Sequence, residues 1–291
     1  MSLPGFNNLL LVGEIRYIQA LREQGSLRNP DDRVGPFLPR LRRLRAHLMS
    51  RRKLERLRAN PLYWFLLART RYYDELFTRA IHDRVRFIVN IGCGSDTRAL
   101  RFAGPLREAG IEVIECDRPA SITAKQRLLR KQPDIDHIHH VPIDLGGTSW
   151  PEFEARLDTI ARSRALVMME GVSPYINHQA FTSLLALLAR YLAPRSQLAY
   201  DFKIEGVDDR FGHSTGAGRR FRLPLEREGV AAFHERLGYR LRRIEGSAEL
   251  ERRLLGTDLG PNAVLFNEDG LICVEIARHM GRRPAASDQR G

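Results

Sequence analysis

Cysteine is scarce in this sequence: its 291 residues hold three, Cys93, Cys116 and Cys273. They stand far apart and form no CxxC pair, which excludes a zinc clip or a thiol-exchange motif and leaves reduced, buried thiols as the expectation. Long apolar runs are missing too. The "LLLVG" at residues 9–13 is too short to span a bilayer and has no basic leader before it, so a cytoplasmic protein with no membrane contact is expected. Lysine is rare beside arginine, although the formal charge is +12 and the pI about 10.2. Those arginines are spread along the chain instead of forming one block, so a nucleic-acid partner is disfavoured. Hydrophobic residues at 43% and charged residues at 28% are ordinary for a folded chain. The length suits one large domain with an appendage.

The order of patterns divides the chain. Residues 9–22 and 38–57 carry apolar residues at helical spacing between arginines, and Pro30, Asp31, Asp32, Gly35 and Pro36 supply a break between them. A third helix is expected from Pro61, with Asn60 as its cap. From Arg86 the pattern becomes alternating strands and helices. The runs "FIVNIG", "IEVIECD", "HIHHVPID", "ALVMME" and "SQLAYDF" are followed by two further strands near 239–244 and 271–276. Such alternation predicts an α/β fold with a mostly parallel, seven-stranded sheet.

In a sheet of this kind ligands sit at the carboxyl ends of the strands. The loop after the first strand is Gly92-Cys93-Gly94-Ser95-Asp96-Thr97. A dinucleotide fingerprint places a third glycine where Thr97 stands, so a dehydrogenase is disfavoured. Asp117 ends the second strand, where a carboxylate accepts both ribose hydroxyls of a nucleoside. Asp144 follows the third strand and Glu170 the fourth. A nucleoside without a pyrophosphate, held by glycine backbone and carboxylates, points to S-adenosylmethionine, whose sulfonium cation favours negative charge nearby. The histidines of "HIHH" include a pair, His137 and His139, on one strand face, but no third ligand is visible at matching spacing, so no metal is expected.

The pieces "ARTRYYDEL", "VNIGCGSDTRALRF", "IECDRP", "PIDL", "MMEGVSPYI" and "YDF" followed by "DDRFG" occur in an order that resembles the leucine carboxyl methyltransferase family. This family belongs to the class I, Rossmann-like S-adenosylmethionine-dependent methyltransferases and includes bacterial small-molecule O-methyltransferases. The likeness runs over about residues 61–211. It implies that Arg69 or Arg71 meets the methionine carboxylate of the cofactor, and that Gly92 and Gly94 line the loop. Asp117 then takes the ribose, Asp144 and Leu145 meet the adenine, and Glu170 lies near the methionine end. Tyr175 and Arg210 match positions beside the methyl acceptor. Residues 61–281 become the methyltransferase domain, 1–60 a helical extension serving as cap or oligomerisation arm, and 282–291 a disordered tail.

The first 60 residues find no counterpart in this comparison, and neither does "GHSTGAGRRFR". The acceptor expected is a small-molecule carboxylate, which needs no general base at neutral pH. Arg210, with Arg219 and Arg220, would clamp it. A phenol or enol acceptor would instead call on His213. A protein carboxyl or RNA methyltransferase and a non-catalytic nucleoside-binding module are the other readings.

Overall fold

The computed structural model describes residues 4–130, 132, 135–207, 221–259 and 264–277. Arg210, Arg219, Arg220, His213 and the expected tail lie outside them. Helix α1 (Pro4–Arg22) leads to α2 (Arg40–His47) and α3 (Arg51–Arg58). The single helix expected over 38–57 is thus two. Arg22 donates to the carbonyls of Ala46, His47 and Met49, satisfying the open end of α2, while Ser50 turns extended to start α3.

Helix α4 (Pro61–His82) begins as expected, with the Asn60 side chain accepting from Leu62 N at 3.0 Å and Pro61 at the first position. Most of its residues from Tyr63 to Ala80 are buried on every side, which requires cover on both faces. The sheet covers one. Ile15 and Ile18 of α1, Leu54 of α3 and Leu250 of a later helix join the other, in one cluster with Phe65, Leu66 and Tyr72. The N-terminal segment is therefore built into the same core as α4. Its seams are polar and closed: Arg58 pairs with Glu23 at 2.6 Å, and the Tyr63 hydroxyl donates to the same carboxylate at 2.8 Å.

The alternating region follows as β1 (Phe87–Ile91), α5 (Arg98–Arg101), α6 (Ala103–Glu108), β2 (Glu112–Asp117), α7 (Pro119–Leu129), β3 (Ile138–Pro142), α8 (Pro151–Thr159), β4 (Ala165–Met169), α9 (His178–Tyr191) and β5 (Gln197–Ile204). The two-residue β6 (Arg222–Leu223), α10 (Arg227–Glu235), β7 (Tyr239–Gly246), α11 (Ser247–Leu255) and β8 (Asp269–Ile276) complete it. The strand order is β3-β2-β1-β4-β5-β8-β7, with β6 beside β5. All pairs among β1 to β5 are parallel, and β8 runs antiparallel between β5 and β7. This is the Rossmann-like sheet of seven strands that the sequence predicts, with β6 as a short addition.

Alternation along the strands sends side chains to two cores. Val89, Ile91, Val167, Met169 and Tyr200 face α8, α9 and α10, whereas Ile88, Leu166, Met168 and Ala199 face α4. Asp201 shares the α4 face with Ala199 and there accepts from Arg69 of α4. The strand order reverses between β1 and β4, so the crevice outside their carboxyl ends is the topological switch point.

The three cysteines are free and buried, and burial raises their thiols, Cys273 to about 11. His137 is buried with Nε2 3.0 Å from Ala99 O, and His139 pairs with Glu112 at 3.1 Å. Among the described residues no group of three His, Cys, Asp or Glu side chains is placed to hold a metal ion.

Candidate functional site

The loop after β1 is shaped by its glycines. Gly92 has φ +73° and Gly94 φ +40°, both in the region that favours glycine. A Cβ at Gly92 would lie 2.3 Å from Cγ2 of Val172, so this backbone is in close contact with the loop after β4. Gly92 and Cys93 both donate to Cys116 O, at 2.7 and 3.0 Å, which fastens the loop to the end of β2.

Asp117 stands at that end, half-buried. Its Oδ2 accepts from Gly94 N at 2.8 Å and its Oδ1 from Arg118 N at 2.7 Å. Ile143 N donates to Asp117 O at 2.8 Å, which brings the β3 end alongside. Asp144 is exposed there and accepts from Gly146 N at 3.0 Å, while its carbonyl accepts from the Trp150 indole at 2.8 Å. Leu145 packs on the core beside it. Gly92, Gly94, Asp117, Asp144 and Leu145 thus stand on neighbouring strand ends, as the sequence reading requires.

Glu170, after β4, lies between two guanidiniums. Its Oε1 is 3.2 Å from Arg69 Nε, and its Oε2 accepts from Arg98 Nη1 at 2.8 Å. Burial alone would raise the Glu170 carboxyl, but Arg98 and Arg69 outweigh it and hold it below its ordinary value. Arg69 also donates through Nη1 to Asp201 Oδ2 at 2.9 Å, and Gly171 N donates to Asp201 Oδ1 at 2.6 Å. Burial opposes the Arg69 charge, yet Asp201 and Glu170 raise it above the usual arginine value.

Arg71 is not in this group. Two residues further along α4 is about 200° around the helix, and Arg71 donates to Leu254 O at 2.9 Å on the α11 side. Of the two arginines, Arg69 contacts Glu170 and Asp201, whereas Arg71 points to the α11 side. Tyr175 sits in a short 3-10 turn after Glu170 and is 42% exposed.

Several buried partners escaped the sequence reading. Arg98, 1% exposed, reaches Asp74 at 2.7 Å, Asp96 at 2.6 Å, Glu170 at 2.8 Å and Thr70 O at 3.1 Å. Burial opposes ionisation of Asp96, and Arg98 more than offsets it, so the carboxyl is held far below its ordinary value. Arg101 grips Asp74 with both terminal nitrogens, at 2.8 and 2.7 Å. Across Arg69, Arg98 and Arg101, three guanidiniums meet four carboxylates, Asp74, Asp96, Glu170 and Asp201. The cluster carries one formal negative charge in excess. Arg98 stands within "CGSDTRALRF" and Asp201 within "YDF", so a charge inside an apolar strand was the available signal for Asp201.

The N-terminal segment reaches the same loop. Arg16 of α1 donates to Ser95 Oγ at 3.0 Å and pairs with Asp31 at 3.1 Å, and the Thr97 hydroxyl donates to Asp31. Burial raises the Asp31 carboxyl, against Arg16 and Thr97.

The leucine carboxyl methyltransferase family model matches residues 30–189, more than half of the chain. It begins inside the segment for which the sequence reading found no counterpart. A Frankia alni protein, provisionally named as an S-adenosyl-L-methionine-dependent methyltransferase, is 32% identical over 47% of this chain and 48% of its own length. A similarly named Mycolicibacterium paratuberculosis protein is 28% identical over 67% and 66%. The chain spans about half the length of the first of these relatives. Among solved structures, an O-methyltransferase family protein of Burkholderia thailandensis is 11% identical, with a TM-score of 0.47 over 94% of this chain and 70% of that one. The strand order, the glycine loop and the family match over residues 30–189 agree, and the chain belongs to the leucine carboxyl methyltransferase family.

Proposed function

We infer that the crevice at the β1 and β4 ends binds S-adenosylmethionine and that the protein transfers its methyl group to the oxygen of a small-molecule carboxylate. The observation that carries the reading is the convergence of Gly92, Asp117, Glu170 and Arg69 at the switch point of a family member's sheet. The residues fit the cofactor. Each Asp117 oxygen has accepted one backbone N–H, and a carboxylate offers about four acceptor sites, so capacity for a ribose diol is left. Arg69 Nη2 carries no hydrogen bond among the described residues and is free to take a carboxylate. The absent side chain at Gly92 lets the β1 loop pack directly against Val172, which holds the loop beside Glu170.

When bound, S-adenosylmethionine supplies an electrophilic methyl group on a sulfonium. The chain's contribution is positional. Glu170 and Asp201 fix the Arg69 guanidinium, Arg98 fixes Glu170, and the one excess negative charge of the cluster suits a cation nearby. A carboxylate acceptor is already ionised at neutral pH, so no residue has to take its proton. The reading is tested by incubating the protein and S-adenosylmethionine with panels of carboxylic acids and phenols and following product mass. Methyl esters from acids alone support it; methyl ethers alone transfer the assignment to phenols.

A further inference from the structure

Helix α2 and the turn after it direct their leucines outward. Leu41, Leu44 and Leu48 are 58%, 53% and 74% exposed, whereas Ala46, on the opposite side of the helix, is fully buried. Spacings of three and four residues put the three leucines on one stripe, the arrangement that a soluble helix ordinarily buries. Exposed Arg40 and Arg45 flank that stripe, and exposed Arg51, Arg52 and Lys53 follow at the start of α3. Residues 33–54 contain eight Arg and Lys and no acidic residue. Acidic neighbours contribute little neutralisation: Glu14 is engaged with Arg42 at 2.6 Å, and Glu55 approaches Arg51 only to 3.9 Å.

We propose that this face docks on a membrane surface rich in anionic lipid, with the three leucines entering the headgroup boundary and the surrounding arginines meeting lipid phosphates. An apolar stripe bordered by cations on both sides is the pattern of a helix that lies in the interface plane. The mode is surface docking, since no described helix is long and apolar enough to cross a membrane. The absence of a spanning run, on which the expectation of no membrane contact rested, does not bear on this. Other occupants fit less well. A second copy would set the same basic stripe against itself, and a nucleic acid would leave the leucines in water. Helix α2 packs on α1, whose Arg16 touches Ser95, so one helix separates the docking face from the nucleotide loop.

The test is co-sedimentation of the whole chain with vesicles of phosphatidylcholine and phosphatidylglycerol in equal parts, against phosphatidylcholine alone. Binding to the anionic vesicles only is expected. Leu44→Ser with Leu48→Ser should lower it by more than about tenfold, from the apolar area withdrawn from lipid. Each basic residue at an anionic surface strengthens binding about fivefold, so Arg45→Glu with Arg52→Glu should lower it more than twentyfold. All four positions are exposed, and circular dichroism should report an unchanged fold. No binding to anionic vesicles overturns the proposal. So does full binding by the leucine variant, which would mean adsorption by charge alone, as to a nucleic acid. Light scattering that shows a dimer broken by the leucine changes would assign the face to self-association and overturn it as well.

Discussion

Replacing Gly92 with alanine combines two separable costs. At φ +73° a Cβ is strained by about 1–2 kcal/mol in the left-handed region. The new atom would also lie 2.3 Å from Val172 Cγ2, with Val172 Cβ and Cγ1 both at 3.5 Å. Valine has few rotamers to escape into, and overpacking of this kind costs about 1–3 kcal/mol. Gly92→Ala should therefore destabilise by about 3 kcal/mol, near the sum of the two. Val172→Ala alone should cost about 1 kcal/mol in lost burial. In the double variant the clash is gone and only the backbone strain and the lost Val172 burial remain, so the pair should be less destabilised than the sum of the singles by about 1–3 kcal/mol. Urea unfolding followed by tryptophan fluorescence supplies all four corners of the cycle. Additive costs would mean that the two loops are not in contact, and the close packing of the β1 and β4 ends would be refuted.

Arg98→Ala should destabilise by about 3–5 kcal/mol, because it leaves Asp74, Asp96 and Glu170 buried without their shared cation; an unfolding midpoint equal to that of the parent would contradict this. Glu251 is fully buried, and its nearest donor is Phe266 N at 3.3 Å; burial raises its carboxyl to about 8 in the folded state. Since the unfolded chain releases that proton near pH 4.5, stability should fall as pH rises from about 5 to 8, and Glu251→Gln should remove a loss of up to a few kcal/mol. Parallel pH profiles of parent and variant would show that Glu251 ionises normally. Arg71→Ala should leave S-adenosylhomocysteine affinity unchanged, while Arg69→Lys, which keeps the charge but loses the fork, should weaken it about tenfold, or about 1.4 kcal/mol; equal effects would dismiss the helix-face argument.

The sheet was legible because its signals are local. Strands such as Phe87–Ile91, buried along their whole length, read as continuous apolar runs, and glycine and aspartate punctuate their ends. The same logic placed Gly92, Asp117, Asp144 and Glu170 at strand ends, where the structure has them. What sequence patterns could not convey is pairing across distance. Arg69 and Asp201 lie 132 positions apart and meet only because β5 turns Asp201 toward α4. Arg98 looks like an ordinary arginine at the start of a helix until three carboxylates from separate elements close around it. Arg71 resembles Arg69 in sequence and is separated from it only by helix rotation. The break of α2 from α3 likewise depends on Arg22, a partner from another helix. Residues 33–54 announced their charge in the sequence, but whether their leucines face the core or the solvent is a tertiary fact.

Titration calorimetry of the whole chain with S-adenosylhomocysteine, with NADH as comparison, tests the central assignment most directly. Selective binding of S-adenosylhomocysteine, weakened by about 1–3 kcal/mol in Asp117→Ala, is the result predicted from the loss of hydrogen bonds to a charged group. Binding of NADH in its place, or an Asp117→Ala variant with undiminished affinity, would contradict the assignment of the β1 and β2 ends to the nucleoside.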